Sequence, residues 1–162
     1  MAYQIRPALP QDVPAIAAIL SSVAWMTRVQ AAPLQEMHQE MLTCMDLCLA
    51  DDSHTVLVAE DSSGNVRGYT SVHWLPYFFL QGPEGYVSEL FVHEDARGSG
   101  IGTLLLEAVK YEARRRSCSR LMLVNGRNRP SYQREFYKKN GWREREHMAN
   151  FVFDLDQITP GG

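Results

Sequence analysis

The spacing of apolar positions predicts two helices near the start of the chain. Residues 3–6 alternate between polar and apolar side chains and predict a short strand. Apolar residues then recur at helical spacing after Asp12, which we expect to cap a first helix, and again after Pro33, which opens a second. Residues 24–28 lie between these patterns and are expected to form a loop.

From residue 54 the apolar positions alternate with a period of two. Residues 55–59 and 66–74 predict the strands of a hairpin, and the polar residues 61–65 supply its turn. Residues 86–92 predict a further strand. The stretch between them, residues 76–83, is aromatic and interrupted by proline and glycine, so we expect a loop there.

The last third of the chain returns to helical spacing and ends in an alternating segment. A helix is expected from about residue 100 to residue 116, with its apolar side formed by Ile101, Leu104, Leu105, Ala108 and Val109. A strand at 121–124 follows, then a helix at 131–140 stopped by Gly141. Residues 151–155 alternate and predict a closing strand.

Composition indicates one globular domain covering residues 1–162. The chain is 45% hydrophobic and 22% charged, which excludes intrinsic disorder and fibrous repeats. No apolar stretch approaches the ~20 residues of a membrane span, and the first residues lack the pattern of a signal peptide. The three cysteines have no metal-ligand spacing, so we expect reduced thiols, no metal site and a cytoplasmic protein.

The net charge of −3 conceals an uneven distribution. Residues 1–96 hold three basic and twelve acidic side chains, whereas residues 97–162 hold thirteen basic and seven acidic ones. This asymmetry favours an anionic ligand on the C-terminal half and a cationic ligand facing the other. A nucleic-acid partner is not expected, because the chain is acidic overall and has no aromatic-basic recognition motif.

The segment with the clearest chemistry is Arg97-Gly98-Ser99-Gly100-Ile101-Gly102, which joins a predicted strand to a predicted helix. Backbone N–H groups at a helix N-terminus are unpaired and suit a phosphate group, and glycines let a ligand approach closely. A P-loop would need a Gly-Lys-Ser/Thr ending, and a dinucleotide fingerprint a different glycine spacing. A glycine-rich connection without a ligand is the other interpretation.

These residues resemble a known family. Residues 97–102 are similar to the Arg/Gln-x-x-Gly-x-Gly/Ala signature of the GNAT superfamily of acetyl-CoA-dependent N-acetyltransferases. Glu89-Leu90-Phe91-Val92 before the signature, and Asn128 and Phe136-Tyr137-Lys138-Lys139-Asn140-Gly141-Trp142 after it, strengthen the resemblance. The order of predicted elements also resembles this family over nearly the whole chain.

The resemblance implies an α/β fold with a mixed, mostly antiparallel twisted sheet, flanked by helices and splayed at its central strands to admit acetyl-CoA. Backbone groups at Phe91 and Val92 would bind the pantetheine arm. The pyrophosphate would be bound by the remaining residues of the segment, namely Arg97, Gly98, Ser99, Gly100, Ile101, Gly102 and Thr103. Tyr137 would donate a hydrogen bond or a proton to the departing thiolate.

Asn128 departs from the family pattern, because Tyr137 follows it by nine positions, more than is common there. Either the helix starts differently, or Asn128 does not contact the pantetheine arm. Ser131 also stands where the family usually has alanine.

Glu89 is the leading candidate for the catalytic base, since a charged residue on a central strand is unfavourable unless paired or functional. Alternation places Glu89 and Phe91 on one face of the sheet and Leu90 and Val92 on the other. A structural salt bridge is the alternative role of Glu89. His73 and His93 are lesser candidates for the base.

The predicted function is transfer of an acetyl group from acetyl-CoA to a primary amine of a small cationic molecule, by direct attack in a ternary complex. Two alternatives stay open: a protein N-terminal or lysine acetyltransferase, and a catalytically silent CoA-binding sensor. The sequence does not specify the oligomeric state, and a homodimer is left open.

Overall fold

The computed structural model describes residues 2–23, 33–153 and Leu155. The chain divides into two compact units, residues 1–123 and 124–162, and each is described by itself. The predicted loop at 24–28 lies outside the described residues. Among the helices that are described, none is both long and apolar enough to cross a membrane.

The N-terminal unit contains five strands and three α-helices in its described part. In chain order these are β1 (Gln4–Pro7), α1 (Val13–Ser21), α2 (Leu34–Leu49), β2 (His54–Glu60), β3 (Val66–Leu75), β4 (Glu84–Val92), α3 (Ile101–Arg115) and β5 (Arg120–Leu123). Single 3-10 turns precede α1 (Pro10–Asp12) and follow β4 (Glu94–Ala96). The predicted hairpin and the predicted helix after the glycine-rich segment are confirmed.

The five strands form one sheet in the order β1-β2-β3-β4-β5. All neighbours are antiparallel except β4 and β5, which are parallel. Pairing of β4 with β5 runs only from Glu84 opposite Arg120 to Val87 opposite Leu123, while β4 continues to Val92. The sheet is therefore mixed, mostly antiparallel and open beyond Val87, as predicted.

Helices cover both faces of this sheet. Helices α1 and α2 pack with Val58 and Tyr69 on one face, and α3 packs with Ala59 on the other. The buried side of α3 differs from the prediction in one position: Leu106 is fully buried, whereas Leu104 is 41% exposed. Leu104 and Leu106 lie on opposite edges of the apolar stripe, and helical spacing alone does not determine which edge is buried.

Asp12 stands at the N-cap position of α1, but its side chain does not cap that helix. The carboxylate accepts a hydrogen bond from the Leu9 N–H at 2.8 Å and an ion-paired one from Arg6 at 2.7 Å. Burial alone would raise the pKa of Asp12, but these bonds outweigh it and hold the pKa below its ordinary value. The predicted capping role is therefore wrong, because the carboxylate anchors the preceding turn to β1.

In the C-terminal unit the predicted helix at 131–140 is interrupted. It consists of α4 (Pro130–Gln133) and α5 (Phe136–Lys139), and Glu135 between them has a left-handed backbone with φ +56°. Gly141, at φ +84°, ends α5 as predicted. The Trp142 N–H donates to the Tyr137 carbonyl at 3.0 Å, and the Gly141 N–H donates to the Lys138 carbonyl at 3.0 Å. This Schellman motif fixes the end of the helix.

The closing strand expected at 151–155 does not form in the described residues. Phe151, Val152 and Phe153 have no regular structure and are 74–91% exposed, and Asp154 lies outside the description. Alternation indicates which side chains a strand would bury, but a strand also needs a partner for its backbone. No described strand pairs with this segment, so that prediction is wrong.

Candidate active site

The predicted phosphate loop connects the 3-10 turn after β4 to helix α3. Gly98 and Gly100 adopt left-handed backbone conformations, with φ +80° and +89°, which glycine adopts without steric penalty. The Ser99 hydroxyl donates to the Ala96 carbonyl at 2.5 Å and holds the loop against the turn. Ile101 is buried in the core beneath α3, so it can offer a ligand only its backbone.

The backbone N–H groups of residues 98–103 donate to no acceptor in the part of the chain that is described. The N–H group of Leu104 is the first in the helix to donate a hydrogen bond, to the Gly100 carbonyl at 3.1 Å. A Cβ built on Gly98 or Gly100 would meet no atom within 4 Å, so the space in front of the loop is open. An unpaired row of N–H groups at the start of a fifteen-residue helix fits a pyrophosphate.

Phe91 and Val92 lie on the part of β4 that extends past its pairing with β5. Their side chains pack in opposite directions, Phe91 against the α1 and α2 side and Val92 against the α3 side. Only their backbone therefore lies along the opening between the strands. Arg97 and Thr103 are exposed at the two ends of the loop.

Glu89 lies next to a β-bulge. Glu89 pairs with Ser71, but the next pair joins Val72 to Val87, which leaves Ser88 as an extra residue in β4. The Thr70 hydroxyl donates to the Glu89 carbonyl at 2.8 Å and fixes the backbone there. Glu89 is half-buried and shares the sheet face of Phe91, as alternation predicts. Sequence inspection missed the bulge, since no local pattern marks Ser88.

Burial raises the pKa of the Glu89 carboxyl group, and the nearby Tyr69 hydroxyl lowers it in part. A carboxylate with a raised pKa is a stronger base than an exposed one, which suits proton removal near neutral pH. Glu89 forms no salt bridge within the described residues, so the alternative structural role has no partner there.

Of the two histidine candidates, only His73 shares a surface with Glu89. Its Nε2 lies 3.0 Å from the Ser88 hydroxyl, and its ring stands 4.3 Å from that of His54. Burial, followed by the charge of His54, lowers the pKa of His73, so its imidazole is neutral near pH 7. His93 instead accepts a bond from the Asp95 N–H at 3.4 Å and caps the turn after β4.

Tyr137 lies in the C-terminal unit, where the Schellman motif holds its carbonyl. Its ring packs against Phe136 and Trp142, with centroids 5.0 Å and 6.2 Å away. Burial raises the pKa of Tyr137 to about 12, against a smaller lowering by Arg134. The phenol is therefore protonated throughout the physiological range and can donate a hydrogen bond.

The helix interruption lies between Asn128 and Tyr137. Arg134 and Glu135 separate the two short helices of this segment. Asn125, not Asn128, accepts the hydrogen bond from the Ser131 hydroxyl, at 3.0 Å. The sequence pattern did not indicate this contact of Asn125, which precedes Asn128 by three positions.

Ion pairs reduce the charge asymmetry seen in the sequence. Five of the twelve acidic residues in 1–96 pair with arginines. Two of these pairs, Asp52 with Arg116 and Glu84 with Arg120, join the acidic half of the sequence to the basic half. The two halves of the sequence are therefore joined by ion pairs, and the attraction of a cationic ligand to residues 1–96 stays a prediction.

Comparison with known proteins places this arrangement in a family. Residues 20–142 match the profile of the acetyltransferase (GNAT) family. An L-methionine sulfoximine/L-methionine sulfone acetyltransferase from Pseudomonas paraeruginosa is 32% identical over 118 residues, which are 70% of this chain and 65% of that protein's length.

Two solved structures show the same fold. One, described as a transcriptional regulator from Bacillus halodurans, has a TM-score of 0.83 at 21% identity, covering 94% of this chain and 100% of the other. A ribosomal-protein-alanine N-acetyltransferase from Brucella melitensis has a TM-score of 0.70 at 25% identity, covering 95% and 100%. On the profile match, which spans most of its length, the chain belongs to the acetyltransferase (GNAT) family.

Proposed function

We propose that the chain is an N-acetyltransferase that moves an acetyl group from acetyl-CoA to the primary amine of a small molecule. The observation that carries this proposal is the row of unpaired N–H groups at residues 98–103, in a member of an acetyltransferase family. Residues 97–103 would bind the pyrophosphate of acetyl-CoA. The backbone of Phe91 and Val92 would bind the pantetheine arm along the open part of β4.

In direct transfer, the amine nitrogen forms the amide bond as the thioester carbon–sulfur bond breaks, and the nitrogen loses a proton while the thiolate gains one. Glu89 would accept the proton from the amine, directly or through a water molecule. Tyr137 would donate a hydrogen bond to the thiolate. With a pKa of about 12, the phenol is a weaker acid than a thiol near 8.5, which favours hydrogen bonding over full proton transfer.

For the acceptor, we propose a small molecule with an amino-acid-type or other cationic amine. The relative from Pseudomonas, which acts on L-methionine sulfoximine according to its name, supports a small acceptor. Asn128 would form a hydrogen bond near the pantetheine arm of acetyl-CoA, as the resemblance to the family implies.

The test is release of the CoA thiol from acetyl-CoA with a panel of amines: L-methionine sulfoximine, a polyamine, an amino sugar and an alanine-terminated peptide. The proposal predicts release with at least one small amine, in proportion to the protein added. Release with the peptide alone would favour a protein acetyltransferase. Binding of acetyl-CoA without release for any amine would indicate a silent CoA-binding module, and absence of binding would contradict the proposal altogether.

A further inference from the structure

The hydroxyl group of Tyr69 is buried in the face of the sheet that carries Glu89. Tyr69 is only 2% exposed, and its hydroxyl forms no hydrogen bond of regular geometry with any of the described residues. Most buried polar side-chain atoms have a hydrogen-bond partner, and leaving one unsatisfied destabilises a fold. A phenylalanine would fill the same apolar surroundings without that penalty, so the hydroxyl needs another explanation.

The strand register identifies the group that the hydroxyl faces. Tyr69 stands opposite Phe91 and Ser71 stands opposite Glu89, so Tyr69 and Glu89 are diagonal neighbours on one face. Long and aromatic side chains reach across such a diagonal. The Tyr69 ring contacts Phe91, with centroids 5.9 Å apart, and Glu89 is half-buried.

The two groups influence each other's protonation. Burial, followed by the charge of Glu89, raises the pKa of Tyr69 well above its ordinary value, and the hydroxyl in turn lowers the pKa of Glu89. The other titratable group near the carboxylate is Cys48 of α2, whose thiol pKa is raised by burial and then by Glu89. No lysine, arginine or histidine of the described segments affects the pKa of Glu89.

We propose that Tyr69 is a positioning residue whose hydroxyl donates a hydrogen bond to one oxygen of the Glu89 carboxylate and aims the other oxygen at the acceptor amine. This inference rests on the proposed role of Glu89 as the base. On this proposal the buried Tyr69 hydroxyl contributes to the reaction and does not stabilise the fold.

The first test measures the contact without using activity. Proteins labelled with ¹³C in the glutamate carboxyl groups are titrated by NMR as the free wild type, as Tyr69→Phe and as Tyr86→Phe. Tyr86 is the matched control, since it is a half-buried tyrosine on the same face of β4. We expect the pKa of Glu89 to be higher in Tyr69→Phe and unchanged in Tyr86→Phe. An identical titration of Glu89 in all three proteins would overturn the inference, whatever their activity.

The second test follows the rate of thiol release against pH with an amine that the wild type acetylates. In Tyr69→Phe we expect kcat/KM at pH 7 to fall about tenfold. We also expect its acidic limb to move upward by the shift seen in the titration, while the KM for acetyl-CoA stays the same. A rate loss that is equal at every pH, or a fall in Tm without a shifted limb, would make Tyr69 structural and overturn the positioning role. The pKa of Glu89 could rise in Tyr69→Phe as expected while the wild type transfers no acetyl group to any amine. That result would contradict the proposed function and not the contact between Tyr69 and Glu89.

Discussion

The carboxylate of Glu84 forms an ion pair with the guanidinium of Arg120 at the first residue pair between β4 and β5. Glu84 is 1% exposed and the Arg120 side chain is 41% exposed, so the arginine reaches a buried carboxylate from the surface. The ladder ends at Val87 and Leu123, and β4 then runs on without β5. The two parallel strands are therefore held together at one end and open at the other, where we propose that the pantetheine arm enters.

Replacing Arg120 with methionine should destabilise the fold strongly. The substitution would leave the buried Glu84 carboxylate without its partner, and breaking a buried pair in this way lowers the free energy of unfolding by about 3 kcal/mol. Urea denaturation measures the effect. Arg115→Met is the control, since the exposed pair of Arg115 with Glu112 should contribute at most about 1 kcal/mol. Equal losses in both variants would show that the Glu84–Arg120 pair contributes no more than a surface pair.

Glu89→Gln should slow acetyl transfer mainly near neutral pH. An ammonium acceptor must lose a proton before it attacks, and the amide of glutamine cannot accept one. The deficit should be about 10²–10⁴-fold near pH 7 and should shrink at high pH, where free amine is plentiful. Rates of thiol release from pH 6 to pH 10 measure this. A deficit that is constant across that range would assign Glu89 a binding or structural role.

The same substitution should stabilise the fold at neutral pH. The pKa of Glu89 is raised in the folded protein, so the folded state binds a proton more readily than the unfolded state does. That contribution is fully present below the unfolded pKa and is lost as the pH rises through the folded pKa. Tm of Glu89→Gln should therefore exceed that of the wild type at pH 7, and the difference should vanish under acid. A lower Tm at pH 7 would mean that the ionised carboxylate stabilises the fold.

Tyr137→Phe should lower kcat and leave acetyl-CoA binding nearly unchanged. The ring contacts with Phe136 and Trp142 are kept, and only the hydroxyl is lost. A positioned proton or hydrogen-bond donor contributes typically ~10²–10⁴-fold in rate. Because burial raises the pKa of Tyr137 to about 12, the wild-type rate should show no loss from its ionisation below about pH 11. An unchanged kcat in the variant would mean that Tyr137 only packs in the core.

Local sequence patterns predicted the elements whose structure depends mainly on residues that are close in sequence. The β2–β3 hairpin has strands joined by a polar turn, and the helix after Gly100 has both a glycine start and a long apolar stripe. The sequence also placed Glu89 and Phe91 on one face correctly, because alternation within a strand is a local property.

The features that were missed depend on partners distant in sequence. The Ser88 bulge exists only relative to β3, and the segment 151–153 has the composition of a strand without a described partner. Glu135 breaks the helix through a left-handed conformation that glutamate rarely adopts, so no residue type marked the break. Ion pairs between distant residues could not be predicted either, since Asp52 and Arg116 are 64 positions apart but form an ion pair.

The most direct test of the central claim is a calorimetric titration of acetyl-CoA into the wild type, Gly100→Ala and Gly64→Ala. Both glycines have left-handed backbones, with φ +89° and +83°, and at neither would a Cβ meet an atom within 4 Å. The two alanines should therefore lower the free energy of unfolding equally, by roughly 1 kcal/mol.

Only the alanine at position 100 places a methyl group before the N–H row. We expect wild-type affinity in Gly64→Ala and at least about tenfold weaker binding in Gly100→Ala, which corresponds to a binding free energy reduced by ~1.4 kcal/mol. Wild-type affinity in Gly100→Ala would contradict the assignment of residues 98–103 as the acetyl-CoA site.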